Sequence, residues 1–163
     1  MRGITVGAGR GRARLAVIAA GAAAVVVGGL VSAQGASAGT VHPTGYTCRS
    51  DQTGSYAAVA FGVSLDSCAL GNGYNGVAAR VGVHNSNGTL VDVCAHAVDL
   101  ATGAWAYDYQ CKGWSGASGT LDFPYHSLPT GKYVISVGFW ANNPSGGLTY
   151  YGDVQSPQIN VTP

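Results

Sequence analysis

Beyond residue 38 the chain has no glutamate, no methionine and only four basic residues, Arg49, Arg80, Lys112 and Lys132. Four scattered positive charges lack the electrostatic footprint that nucleic acid or an anionic membrane surface requires, which excludes both as main partners. Without Glu the chain is poor in the residues of long solvated helices, whereas Gly, Ser, Thr, Tyr and Asn supply short strands and tight turns. No C-x-x-C pair is present, which argues against a structural zinc site. No internal repeat and no Pro-rich linker divides the chain after residue 38. The C-terminus carries no sorting motif or hydrophobic tail, so the expected product is released and not anchored.

What is present first is an export-type leader. Arg2, Arg10, Arg12 and Arg14 precede an Ala/Val/Gly run over residues 15–31, and small residues suited to a signal peptidase follow. The expected cut lies after Ala36-Ser37-Ala38, with a second small-x-small site ending at Ala33. An uncleaved membrane anchor is the competing reading, but the run is weakly hydrophobic and meets cleavage-type residues at once. With residues 1–38 removed as a signal peptide, the balance is 4 − 7 = −3, because all seven acidic residues follow, in place of the formal +1 of the whole chain. About 125 residues then remain, enough for one domain with one core. The expected organisation is an N-terminal arm over 39–54 and a single domain over 55–163.

All four cysteines, Cys48, Cys68, Cys94 and Cys111, follow the leader, so they would meet an oxidising compartment and form two disulfides. Of the three pairings the sequential one is preferred, Cys48 with Cys68 and Cys94 with Cys111, because the second pair falls on neighbouring predicted strands. Each closed loop contributes about 3 kcal/mol on a chain-entropy model.

The strongest strand signal is residues 128–140, where a Pro/Gly turn feeds a run of β-branched and aromatic residues. Tyr133, Ile135, Val137 and Phe139 share one face, and Val134, Ser136, Gly138 and Trp140 the other. Upstream, Ala57, Val59, Phe61, Val63 and Leu65 alternate and predict one strand over 55–65, followed by a surface loop over 66–76 that lacks calcium-loop spacing. Residues 77–98 predict a hairpin with Ser86-Asn87-Gly88 as its loop and Gly88 left-handed, so that Val83 meets Val91, Val81 meets Val93 and Ala79 meets Ala95. Setting Cys94 opposite Cys111 on a strand over 105–112 places His96 opposite Tyr109, Val98 opposite Tyr107 and Leu100 opposite Trp105. That aromatic face then lies on the opposite side of the sheet from the Val/Ala face. Residues 112–119 predict a Gly/Ser-rich loop around Trp114, and short strands over 120–125, 148–151 and 158–161 complete the domain. The expected fold class is all-β, a single antiparallel Greek-key β-sandwich of about seven to eight strands, immunoglobulin-like, with two disulfides.

The segment Leu128-Pro129-Thr130-Gly131-Lys132-Tyr133-Val134-Ile135-Ser136-Val137 resembles the tyrosine-corner turn and following strand of immunoglobulin-like and fibronectin type III-like sandwiches. The resemblance implies architecture only, with the Tyr133 hydroxyl bonded to backbone upstream. A Trp between two Cys at the antibody spacing is absent. The Ala, Gly and Val content also resembles that of exported actinobacterial proteins. Secreted sandwiches of that origin include chromophore carriers and protease inhibitors, and no motif here matches either.

Catalytic motifs are missing. Residues 113–117 and 143–147 each depart by one residue from a nucleophile elbow, and a triad drawn with His84 or His96 as base and Asp92 or Asp99 as orienter has no supporting spacing. Two Asp across a cleft would be needed for glycosidase chemistry, and Cys94-x-His96 would ligate copper only with Cys94 reduced. No catalytic residue, metal site or cofactor is therefore expected. Trp105, Tyr107 and Tyr109 alternate along one strand, and with Trp114 they form either an exposed platform for sugar rings or a protein partner, or part of the core. Tyr150 and Tyr151 would extend such a surface. The expected function is a secreted, non-enzymatic binding or structural module that contacts a polysaccharide or an extracellular protein through Trp105, Tyr107, Tyr109 and Trp114. The alternatives are an inhibitor of extracellular proteases presenting residues 112–119 and a small secreted hydrolase.

Overall fold

The computed structural model describes residues 44–162, so the expected signal peptide over 1–38 and residues 39–43 of the arm lie outside the described residues. Apolar side chains recur with a period of two on the inner faces of the central strands, whose middles are buried on both sides. In chain order these are β1 (Thr44–Cys48), the short helix α1 (Arg49–Thr53), β2 (Ala57–Ala60), β3 (Val63–Asn72), β4 (Gly76–Asn85), β5 (Val91–Asp99), β6 (Trp105–Ser115), β7 (Gly119–Asp122), β8 (His126–Ser127), β9 (Gly131–Asn142), β10 (Leu148–Gln155) and β11 (Ile159–Val161). They assemble into two antiparallel sheets. The first has the order β1-β3-β4-β7, with β2 also on β3 and β8 on β4; the second has the order β10-β9-β5-β6, with β11 on β9. The all-β class and the two disulfides, Cys48–Cys68 and Cys94–Cys111, are as expected.

Both sheets turn an apolar face inward onto one shared core. The first sheet contributes Val63, Leu65, Val77, Val81 and Val83, and the second Val91, Val93, Ile135, Val137 and Phe139, all buried. Full burial of each such side chain stabilises by about 1.5–3 kcal/mol. Two hydroxyls cross the core between the sheets: Ser67 Oγ donates to the Ile135 carbonyl at 2.7 Å and Tyr109 Oη to the Val77 carbonyl at 2.7 Å. Each satisfies a group whose burial would otherwise be costly.

The expected hairpin over 77–98 is instead a crossing between sheets. β4 pairs with β3 and β7, while β5 pairs with β6 and β9. Gly88 does adopt the left-handed conformation, φ +64, and the Val/Ala set does point inward. The two rows face each other across the core instead of lying side by side. The Asn85 side chain holds this crossing, donating through Nδ2 to the Thr89 carbonyl at 2.8 Å and accepting from the Thr89 N–H at 3.1 Å.

Three further expectations are corrected. The single strand over 55–65 is broken at Phe61-Gly62, where φ values of +53 and +78 make a two-residue turn that folds β2 back on β3. The loop over 66–76 is mostly strand: β3 runs to Asn72, with Cys68 opposite Cys48 and Asp66 buried as acceptor for the Ser50 N–H and hydroxyl of α1. The loop over 112–119 is strand as far as Ser115. At the corner leading into β9, the Tyr133 hydroxyl donates to the Pro129 carbonyl at 2.9 Å, the bond that the sequence resemblance implies.

Candidate functional site

The edge strand β6 decides which aromatic side chains reach the surface. Its pairing with β5 shifts register three times, between Asp92 and Cys94, between Cys94 and His96, and between Ala97 and Val98. Each shift inserts an extra β6 residue, and each extra residue changes the face of those that follow. At Gln110 the backbone takes φ +65, and the Asp108 carboxylate accepts the Gln110 N–H at 2.7 Å.

Trp105, Tyr107 and Tyr109 therefore do not share a face, which corrects the alternation expected from sequence. Trp105 stands opposite Val98 on the outer face and is 64% exposed. Tyr107 stands opposite Ala97 on the inner side, half-buried and stacked on His126 with ring centres 3.5 Å apart. Tyr109 is buried in the core, where desolvation raises its pKa. Trp114, opposite Asp92, returns to the outer face.

That outer face can be read row by row across the second sheet. Tyr150, Trp140, Asp92 and Trp114 form one cross-strand row, and Gly152, Gly138, Cys94 and Cys111 the next. Gln155, Ser136, His96 and Asp108 follow, and then Val134, Val98 and Trp105. Neighbouring positions in a row are about 5 Å apart, and the first and last rows are separated by about 20 Å along β5. All three tryptophans of the chain thus lie on one sheet face, with Trp105, Trp114 and Trp140 exposed at 64%, 49% and 38%.

Between the tryptophans lies a polar centre. His96 is buried beneath Trp105, their rings stacked at 3.8 Å, and its Nε2 lies 3.4 Å from the Asp108 carboxylate. Desolvation lowers the His96 pKa, opposed by the charges of Asp108 and Asp153. Tyr150 meets Trp140 edge-on, and its hydroxyl lies over Gly138, where a Cβ would clash with it. Burial first, and the Asp153 and Asp108 charges after it, push the Tyr150 pKa up to about 12. Asp153 is a bulge residue at φ +72 whose carboxylate accepts from Ser136 Oγ at 3.4 Å.

Ser136, His96 and Asp108 are the residue types of a nucleophilic triad and lie in one row, yet no hydrogen bond joins Ser136 to His96 among the described residues. The Ser136 hydroxyl is buried and directed at Asp153. Of the orienters expected from sequence, Asp92 accepts the Gly113 N–H at 2.7 Å and Asp99 the Ala101 N–H at 2.8 Å, and neither pairs with His96, whose carboxylate neighbour is Asp108. His84 lies on the opposite sheet, beside a shallow groove lined by Tyr56, Ser64 and Thr120. Residues 116–118 are pinned to β4, with Ser118 Oγ accepting the Asn85 N–H at 2.8 Å and the Gly116 carbonyl accepting from Asn85 Nδ2 at 3.2 Å. Cys48, Asp66 and Cys68 lie close together, but both sulfurs belong to a disulfide, as does that of Cys94.

The structure brings Trp105, Trp114 and Tyr150 of the expected aromatics to one face and adds Trp140, whereas Tyr151, opposite Phe139, packs against the core. The alternation of β9 already placed Trp140 on the face away from Ile135 and Phe139. What sequence lacked was the register that carries Trp105 and Trp114 to the same side. Comparison with protein-family models, with curated proteins and with solved structures finds no match, so the reading of this face rests on its own residues.

Proposed function

We propose that the protein is an exported, non-enzymatic module that binds polysaccharide by stacking sugar rings on Trp105, Trp114 and Trp140. The observation that carries this reading is the exposure of all three tryptophans on one sheet face. Large rings left in water on a rigid, disulfide-stapled sheet are what ring stacking and partner anchoring use. Two disulfides fit an oxidising destination. No described helix is long and apolar enough to cross a membrane. The likeness of residues 128–137 to immunoglobulin-like and fibronectin type III-like sandwiches, with its Tyr133 bond, supports such an architecture.

The test is depletion of the protein from solution by insoluble cell-wall and plant polysaccharides. Trp105→Ala and Trp140→Ala are each expected to weaken retention about tenfold or more at a temperature where melting curves show the variants folded. Tyr109→Phe, a change in the core, is expected to retain binding. Wild-type retention by both tryptophan variants would remove the stacking face from consideration.

A further inference from the structure

We infer that the polysaccharide bound by this face is cationic, an amino-sugar polymer whose amines are free and not acylated; this rests on the stacking face proposed above and adds its charge selection. The basis is the interleaving of rings with carboxylates. Asp92 stands between Trp140 and Trp114 in one row, Asp108 meets the imidazole on which Trp105 stacks, and Asp153 reaches the same centre through Ser136. Each of the three commits only one carboxylate oxygen to local structure, through the Gly113 N–H, the Gln110 N–H and the Ser136 hydroxyl. The second oxygen of each accepts no hydrogen bond among the described residues.

No Lys or Arg forms an ion pair with this set among the described residues. Arg49 donates to Thr53 Oγ1 and to the Ser55 carbonyl beside α1, Arg80 is taken by Asp122 on the other sheet, and Lys112 lies over the Phe123 ring at 4.6 Å. Lys132 shares the outer face of β9 but sits one row beyond Val134 and two rows from Ser136 and His96, opposite Asn160 of β11. A protonated amine held between a ring face and a carboxylate answers both features, because the ring quadrupole attracts the cation and the carboxylate accepts its N–H. A neutral sugar gains stacking without the charge, and an acidic polysaccharide meets like charge. A basic protein segment offers the same ammonium groups but lacks the repeated apolar C–H ring faces that cover three tryptophans, which favours the sugar polymer.

Calorimetric titration of the protein with short glucosamine oligomers, their N-acetylated counterparts, cello-oligomers of equal length and polylysine tests this, at one fixed pH where the sugar amine is protonated. Glucosamine oligomers are expected to bind about tenfold or more tightly than the acetylated form, and added salt is expected to shrink the difference. Asp92→Asn, Asp108→Asn and Asp153→Asn are each expected to weaken glucosamine binding about two- to fivefold and to leave the affinity for acetylated oligomer unchanged. Asn keeps the oxygen that each local hydrogen bond uses and tolerates the left-handed backbone at position 153, so melting temperature serves as the check on folding. Equal or tighter tryptophan-dependent binding of acetylated or neutral oligomers overturns the charge selection while leaving the stacking face intact. Tighter binding of polylysine than of glucosamine oligomers overturns the sugar as occupant, and no binding of any sugar overturns both readings.

Discussion

At the scale of single residues, His96 is where burial and charge oppose each other. Its ring is covered by Trp105, and desolvation outweighs the Asp108 and Asp153 charges, so its folded-state pKa lies below the ordinary value of about 6.5. As pH falls through that ordinary value the unfolded chain takes up the proton first. Stability contributed by neutral His96 is therefore present above about pH 6.5 and is lost as pH drops toward the depressed value. The urea midpoint is expected to fall between about pH 7.5 and pH 5, and His96→Gln is expected to fall less. Equal losses in the two proteins would mean that other groups set the dependence. The residue scale was only partly legible in sequence. Tyr133 and the cysteine pairs were, because a corner turn and strand adjacency leave local marks. Tyr109 was not, because its burial depends on an extra residue at Gln110, which has no glycine to announce it.

Turns set the partners of the strands, and here two arrangements shared one sequence pattern. A hairpin and a sheet crossing both satisfy Gly88 in the left-handed region and both point Val81 and Val93 inward. Only long-range pairing of β5 with β9 separates them. The crossing is also held from outside, by the Phe61-Gly62 turn: the Gly62 carbonyl accepts the Ser86 N–H at 3.0 Å and the Phe61 carbonyl accepts from Asn87 Nδ2 at 3.0 Å. At Gly62 a Cβ would lie 2.5 Å from Asn87 Nδ2 at φ +78, whereas at Gly88, φ +64, nothing lies within 4 Å. Gly88→Ala is expected to cost about 1–2 kcal/mol from backbone strain alone, and Gly62→Ala measurably more because it also displaces Asn87. Denaturant unfolding of the two variants makes the comparison; an equal cost would mean that the contact across the turn contributes nothing.

For the molecule as a whole, the two disulfides differ in what they brace. Cys48–Cys68 ties β1 to β3 and Cys94–Cys111 ties β6 to β5, each between directly opposed residues. Replacing either pair by alanine is expected to cost about 3 kcal/mol. Removing Cys94–Cys111 is also expected to weaken polysaccharide retention, because β6 carries Trp105, Trp114 and Asp108, whereas removing Cys48–Cys68 is expected to leave retention near wild type at a temperature where both variants are folded. Loss of binding in both variants alike would place the ligand elsewhere.

The crossing between β4 and β5 has a consequence in time. The hairpins β3–β4 and β5–β6 can close from neighbouring segments, but β9, which completes the second sheet, joins β5 through pairs such as Asp92 with Trp140. Such non-local closure must bear its loop entropy before any contact rewards it, which places folding in the slow, millisecond-to-second regime of β-sandwiches. Until β9 arrives, one edge of β5 and the inner valines of both hairpins stay open to other chains. The face that carries the tryptophans is thus complete only once β9 has paired with β5.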